Sequence, residues 1–308
     1  MPVLSYNSWL GLSFETKWGE APIAPTNFIP FKTLKSEDDV KQILDTGKRG
    51  SLSKDFASFQ GSILGKVDVD MNVYADVIGY FLKSFFGKDD VTGSGSTYTH
   101  KFTLANEQPP SLSMYDYDGF SERIYSGGNV ESLGFKFTVE GDLTCSAKMQ
   151  TKLSTVSETE HTPSYTTTPM FVGYQATCNI AGAPNTRLIG GDLTMKRAVK
   201  MTFGANNSQA PSKSSVGTLE VTGKLDFEID DYTELDYYLK NTQPSLELKF
   251  QNGDNVLTFS LSKCNFEKMS GIDRGQEVAK ISATVRGLYN TTDAGPIAVT
   301  LTNNVASY

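Results

Sequence analysis

One stretch of this sequence occurs twice. Gly65-Lys66-Val67-Asp68-Val69-Asp70-Met71-Asn72-Val73-Tyr74-Ala75-Asp76-Val77 aligns without a gap with Gly223-Lys224-Leu225-Asp226-Phe227-Glu228-Ile229-Asp230-Asp231-Tyr232-Thr233-Glu234-Leu235. Gly, Lys, Asp and Tyr recur, most other positions exchange like for like, and the match extends to Tyr80 with Tyr238 and Phe81 with Leu239. The alternative is convergence of two strand-then-helix patterns. A separation of about half the chain instead points to an internal duplication, which decides the architecture before any single element does. The length agrees. A single core stops growing at roughly 250–300 residues, so 308 residues suit two modules of about 100–150.

Each copy carries the same local logic. Val67, Val69 and Met71 alternate with Lys66, Asp68 and Asp70, and Leu225, Phe227 and Ile229 alternate in the same way, which predicts half-buried strands. Asn72 and Asp230 are residue types that cap a first helical turn. Val73, Val77, Ile78, Phe81, Leu82 and Phe85 then follow at helical spacing, with Gly87 as the stop. In the second copy Tyr232, Leu235, Tyr238 and Leu239 share one face before Pro244.

The rest reads as strands. Expected are 98–104, 111–117, 134–139 and 143–152 in the first half, then 193–203, 218–229, 245–250, 256–264 and 277–289 in the second. Asn252-Gly253-Asp254 is a strong hairpin turn. The organisation expected is an extended N-terminal arm (1–30, with Pro22, Pro25 and Pro30), a first module (31–153) and a Ser/Thr/Pro linker (154–170). A second module (171–290) and a C-terminal extension (291–308) with a short strand at 297–301 complete it. The fold class is mainly β: two related sandwich or barrel modules, each with one flanking helix.

Composition excludes several chemistries. His100 and His161 are the two histidines, and Cys145, Cys178 and Cys264 are far apart and odd in number. They cannot supply a His-rich zinc site, a CxxC pair or a disulfide framework, and read as buried thiols of a reducing compartment. No apolar run approaches the roughly 20 residues of a membrane span. Met1-Pro2-Val3-Leu4-Ser5 lacks a basic region before an apolar core, so no signal peptide is expected. Gly93-Ser94-Gly95-Ser96 lacks the Lys and helix of a phosphate loop. Asp116 and Asp118 begin an acidic loop in which the twelfth position is Gly127, not the Glu a calcium site requires. His100 alternates with aromatics and reads as a structural strand residue. No nucleophile or acid–base set converges, so neither an enzyme nor a bound metal or cofactor is expected.

The net charge is −7, with the acid excess in 68–76, 107–142 and 220–236. Lys196-Arg197 with Lys200 is the longest basic grouping, too small for a tight nucleic-acid binder. Apolar residues make up 38% of the chain, a low share for a globular protein, which predicts that partner copies complete the burial. A β-rich chain must also cover its edges or pair them with another chain.

Ordered segments then carry a resemblance. Gly11-Leu12-Ser13-Phe14-Glu15-Thr16-Lys17-Trp18-Gly19-Glu20 is followed by Pro25-Thr26-Asn27-Phe28-Ile29-Pro30-Phe31, the strand Ser62–Val69 and the aromatic strand Tyr98-Thr99-His100-Lys101-Phe102. Pro110-Ser111-Leu112-Ser113 and Tyr125-Ser126-Gly127-Gly128-Asn129-Val130-Glu131-Ser132-Leu133 come next. In order and spacing these resemble the tail tube (major tail) proteins of long, non-contractile-tailed bacteriophages (siphoviruses).

The resemblance implies a structural virion protein, made in the host cytoplasm, that self-assembles into stacked rings. Inner sheets of neighbouring modules would join into a β-barrel channel through which DNA is ejected. The duplication favours a homotrimer ring with pseudo-sixfold symmetry, with a hexamer as the other arrangement. Implied partners are other copies of the chain, a tape-measure protein in the lumen, and tail terminator and distal tail proteins. DNA would be present only in transit, and no membrane is involved. Asp68, Asp70, Asp226 and Glu228 are candidates for the lumen face, where a negative or neutral surface would let DNA slide; the alternative is a solvated outer face. Candidate inter-ring or inter-subunit loops are 48–60, with Lys48, Arg49, Ser53 and Lys54, and 206–216, with Asn206, Asn207, Gln209 and Lys213. The competing function is a β-rich carbohydrate- or receptor-binding module using exposed Tyr115, Tyr117, Tyr237 and Tyr238.

Overall fold

Strands dominate because the alternation is strongest where one face is apolar and the other charged. The computed structural model describes residues 5–159, 161–275 and 278–308. Met1–Leu4, on which the reading of the chain's start rests, and Glu277, the first residue of the last strand expected in the second module, lie outside them.

The first half contains β1 (Trp9–Phe14), β2 (Asn27–Ile29), β3 (Thr33–Asp45), β4 (Ala57–Asn72), α1 (Ile78–Phe86), β5 (Gly87–Ser94) and β6 (Thr97–Leu104). It continues with β7 (Leu112–Tyr117), β8 (Glu122–Thr138), β9 (Thr144–Thr151) and the short β10 (Thr155–Val156). The second half contains β11 (Ala176–Ile180), β12 (Ala183–Asn185), β13 (Leu188–Thr202), β14 (Lys213–Glu228), α2 (Thr233–Leu239), β15 (Leu246–Asn252) and β16 (Asn255–Leu261). It ends with β17 (Cys264–Met269), β18 (Lys280–Gly287) and β19 (Ala298–Asn303).

The duplication is written into the larger sheet. Its strands run β3-β4-β9-β8-β13-β14-β18-β17, all antiparallel neighbours. The first four and the last four repeat one pattern: a long hairpin, then the two later strands laid back against its second arm. β8 and β13 join the groups, from Ser132 opposite Lys196 to Thr138 opposite Gly190. The smaller sheet runs β12-β11-β15-β16-β19-β6-β5, so both sheets draw strands from both halves. Neither sheet closes into a barrel among the described residues.

The apolar faces of the two sheets form one core. Phe135 packs on Phe259 and Phe137 on Phe250, with ring centroids 4.7 and 5.1 Å apart. α1 belongs to this core. Its residues are buried except the Lys83 turn, which suits a helix enclosed on all sides. The α1 helix begins at Ile78, and Asn72 is not its cap: Asn72 stays in the β4 ladder opposite Thr144. Gly87 does end it, at φ 85°, with its amide donating to the Lys83 carbonyl.

α2 has the same sequence spacing and a different setting. Glu234 is its buried residue, accepting from Asn185 (2.7 Å) and Arg187 (2.6 Å). The N-cap position is Tyr232, not Asp230, and it makes no side-chain cap bond; the residue before it, Asp231, accepts the Thr233 amide at 2.8 Å and pairs with Arg187 at 2.6 Å. These bonds, the Thr233 amide first, hold the Asp231 carboxyl down at about 2. A depressed folded-state pKa contributes stability above the unfolded value of 3.8 and loses it as pH falls through about 2. Amide exchange in α2 should therefore speed up as pH drops from about 4 to about 2, after correction for intrinsic rates. In Asp231→Ala it should already be fast at neutral pH. An α2 indifferent to both changes would show that the Asp231 turn does not hold its first residues.

The segment expected as an extended arm (1–30) contributes two strands to the sheet. β1 pairs with β7 over its whole length and with β2, so the N-terminal segment is part of the sheet from Trp9 onward. Pro25 lies against Gly11, where any Cβ would meet the proline ring. The expected C-terminal strand forms as β19, inserted between β6 and β16. His100 is structural here: it is buried, Nδ1 faces Asp89 at 3.1 Å and Nε2 faces the Val305 carbonyl at 2.8 Å, which ties down the last residues. The three cysteines are free and buried, and burial pushes the Cys178 and Cys264 thiols up to about 12.

Candidate functional site: the charged sheet face and the twin hairpins

The larger sheet has one face in the core and one face of polar side chains. Because side chains alternate along a strand, burying Val67, Val69, Met71, Leu225 and Phe227 forces Asp68, Asp70, Asp226 and Glu228 onto the opposite face. The four predicted carboxylates thus share one surface, two on each half of the sheet.

That surface is not simply acidic. Asp68 lies 4.0 Å from Lys148, and Asp226 is 3.1 Å from Lys224. Lys66 reaches Asp39 at 2.6 Å, and Lys35 reaches Glu37 at 2.8 Å. Arg286 pairs with both Glu220 and Glu267. The ladder also sets Lys136 opposite Asp192, Lys196 opposite Glu220 and Lys280 opposite Glu228. Opposite charges directly across a ladder attract, and their regular alternation leaves the face interleaved in sign. Hydroxyls also bond these carboxylates: Ser282 donates to Asp226, and Asp70 accepts two such bonds. Ser146 and Thr33 (2.6 Å for the latter) hold its carboxyl below the usual range, aided by the charge of Lys148.

The two long hairpins, β3–β4 and β13–β14, leave the sheet at the same end. The second bends onto the first: the Gln209 carbonyl accepts the Ile63 amide at 2.9 Å, and its side chain donates to the Gly61 carbonyl at 2.9 Å. Gln209, itself exposed, thus bonds the first hairpin of its own chain. Lys213 is the first residue of β14, paired with Thr202, and not a loop residue. Asn206 and Asn207 stay at the exposed tip, with Asn207 in the left-handed region at φ 56°. Lys48, Ser53 and Lys54 are exposed at the other tip, where Arg49 pairs with Asp45 and stacks 4.8 Å from the Phe56 ring centre. The first hairpin also exposes Ile43, Leu44, Leu52 and Phe59, each more than half accessible. Apolar side chains concentrated on a projecting hairpin mark an interaction surface.

Sequence patterning missed β3. Its run Ser36-Glu37-Asp38-Asp39 interrupts the alternation expected of a strand. Arg197 was also missed as more than part of a basic grouping. It lies in the core beneath α1, its guanidinium 5.0 Å from the Phe85 ring centre, and burial pushes its pKa down to about 10. The aromatic set proposed for ligand binding is not a surface cluster: Tyr115 is fully buried on β7, and Tyr237 packs on Phe266. No cluster of His, Cys, Asp or Glu among the described residues could hold a metal ion, and none of their helices is long and apolar enough to cross a membrane.

Among curated proteins none matches this chain. A family model does, the one for phage tail tube proteins, and it matches residues 6–304, nearly the whole chain and both copies of the repeat. By that match the chain belongs to the phage tail tube protein family.

Proposed function

We propose that this chain forms the wall of a siphovirus tail tube, three copies to a ring. Each copy supplies two pseudo-equivalent modules, 31–153 and 171–290, so that three chains occupy six positions. The tandem order β3-β4-β9-β8 then β13-β14-β18-β17 supports this reading, since one strand pattern recurs twice within a single sheet. The face bearing Asp68, Asp70, Asp226 and Glu228 lines the channel. Its interleaved charges offer DNA neither a basic track to grip nor a strong repulsive field, which suits a conduit for ejection. The hairpin tips, with Ile43, Leu44, Leu52 and Phe59, contact the next ring.

The role is structural, as it is for the family. Other copies of the chain are the main partner. A tape-measure protein occupies the lumen before ejection, and terminator and distal tail proteins close the ends. Assembly takes place in the host cytoplasm and the product is part of the virion.

Negative-stain microscopy of the purified chain tests this directly. Hollow tubes or rings should appear, with sixfold-looking averages and a ring mass of three chains. A ring of six chains would replace the trimer with the hexamer. A dispersed monomer at every concentration would overturn the tube reading.

A further inference from the structure

Arg49, Arg123, Arg187 and Arg286 each lie within ion-pair reach of a carboxylate. Arg197 is buried far more deeply, at 3% exposure, and among the described residues no carboxylate pairs with it. Its Nε and Nη2 are enclosed without a hydrogen-bond partner. Burial lowers its pKa, and no neighbouring charge opposes the shift. The face of the Phe85 ring lies against it, 5.0 Å away. Ser84, the preceding residue of α1, is also fully buried with an unpartnered hydroxyl.

An aromatic face offsets only part of the cost of burying a cation, which otherwise needs an anion and hydrogen-bond acceptors. A methionine would fill a similar space without that cost. The folding of one chain therefore gives no reason for an arginine at this position.

Its place in the fold supplies one. Arg197 stands at the root of the second long hairpin. The β8 ladder on β13 ends one residue earlier, at Lys196 opposite Ser132. The β13–β14 register slips between Arg197 and Val199, and the two strands then run on together to the tip with Asn206 and Asn207. Arg197 thus lies where the body of the sheet gives way to the projecting arm.

We propose that Arg197 is the receptor for an oxyanion from outside the chain, a carboxylate of a second copy that packs against the hairpin roots. The guanidinium carries its donors in a planar fork that matches a carboxylate. Acidic residues outnumber basic ones by 35 to 28, so a second copy offers carboxylates in excess. Assembly then supplies the partner that folding does not. The source of the carboxylate rests on the tube reading, whereas the unpaired guanidinium does not.

Arg197→Met is the test. In urea the unassembled variant should unfold at the same concentration as wild type or a higher one, since no pairing within the chain is lost. Yet it should need at least about tenfold more protein to form tubes. Inorganic phosphate, with ionic strength matched by chloride, should raise the protein concentration that wild type needs for tubes and leave that of the variant unchanged. Should the variant fail to fold, the phosphate comparison on wild type decides alone, and phosphate without effect overturns the proposal. A variant that folds but unfolds at clearly lower urea would show that the chain itself satisfies Arg197, which also overturns it. Phosphate that raises the urea midpoint of unassembled wild type, while the variant forms tubes normally, would overturn the second copy as the source and leave a site for a free anion. Normal tubes from the variant, with no effect of phosphate on either chain, would overturn the site altogether. A wild-type chain that forms no ring or tube removes the tube reading, and the urea midpoints with and without phosphate then test the guanidinium by itself.

Discussion

Replacing Asp68, Asp70 and Asp226 with Asn and Glu228 with Gln should turn the charged sheet face into one that holds DNA. The lysines on this face do not disappear with the carboxylates. Lys148 loses Asp68, Lys224 loses Asp226, and Lys280 loses the Glu228 opposite it. Each freed ammonium can take a phosphate and release a counterion, which adds roughly 0.9 to the slope of log affinity against log salt. Three per chain should give binding that weakens roughly 40-fold between about 50 and 200 mM salt, a dependence the wild-type face should lack. Anisotropy of a labelled duplex against the unassembled chain reads the face itself. DNA release from tails built with the variant reads its place in the channel. Equal, salt-independent behaviour of variant and wild type would show that the carboxylates do not shield the lysines. Normal ejection by a variant that does bind DNA would move the face out of the lumen.

The largest expected loss of stability comes from the repeat's glycine. A Cβ on Gly65 would lie 2.2 Å from Thr151 Oγ1 and 2.3 Å from the Lys152 carbonyl, with Tyr125 at 3.1 Å. The carbonyl belongs to the backbone just past β9, which is bonded to the Ser126 carbonyl at 2.8 Å, so it cannot yield without shifting β8 as well. Gly65→Val should therefore cost about 3 kcal/mol or more in a urea melt. Gly223→Val should cost less: its nearest backbone atom is the Asp192 carbonyl at 2.9 Å, and the next contact is the Val285 methyl at 3.2 Å. A Gly65→Val chain within about 0.5 kcal/mol of wild type would show that β8 and β9 are looser than their ladder implies. The recurrence of Gly in both copies thus has a steric cause, the close approach of a neighbouring strand.

Legibility followed burial. β4 and β14 were readable because one face of each is buried against the core and the other is wet, so the two-residue period is clean. β3 and β5 were not, because they are edge strands with both faces polar, as in Ser36-Glu37-Asp38-Asp39 and Lys88-Asp89-Asp90. Both helices were placed near their true positions, yet the same spacing yielded a core helix in α1 and an exposed one in α2. Periodicity states which side chains align and leaves open how many neighbours surround them. The prolines before Phe31 point to an extended arm; that β1 finds its partner in β7, about a hundred residues later, is something no local signal points to. Asp68, Asp70, Asp226 and Glu228 reached a common face through alternation alone. Loop composition does not reveal that Gln209 bonds the first hairpin or that Lys213 starts β14, because both depend on one hairpin folding onto the other.

What the sequence determined by itself is a chain with a duplicated strand-then-helix unit, mainly β, whose alternating strands assign each side chain to an apolar or a charged face. Side-chain period and residue type are local properties, and they are set before folding. The tertiary structure alone decided which strands are neighbours: that β8 meets β13, that both sheets mix the two halves, that Lys148 meets Asp68 and Lys66 meets Asp39 from adjacent strands, and that among the described residues β3 and β17 each have a single ladder neighbour. Alternation fixes the face a residue occupies but not the strand beside it. That choice rests on hydrogen-bond ladders and core packing between segments far apart in sequence, which exist only once the chain has closed on itself.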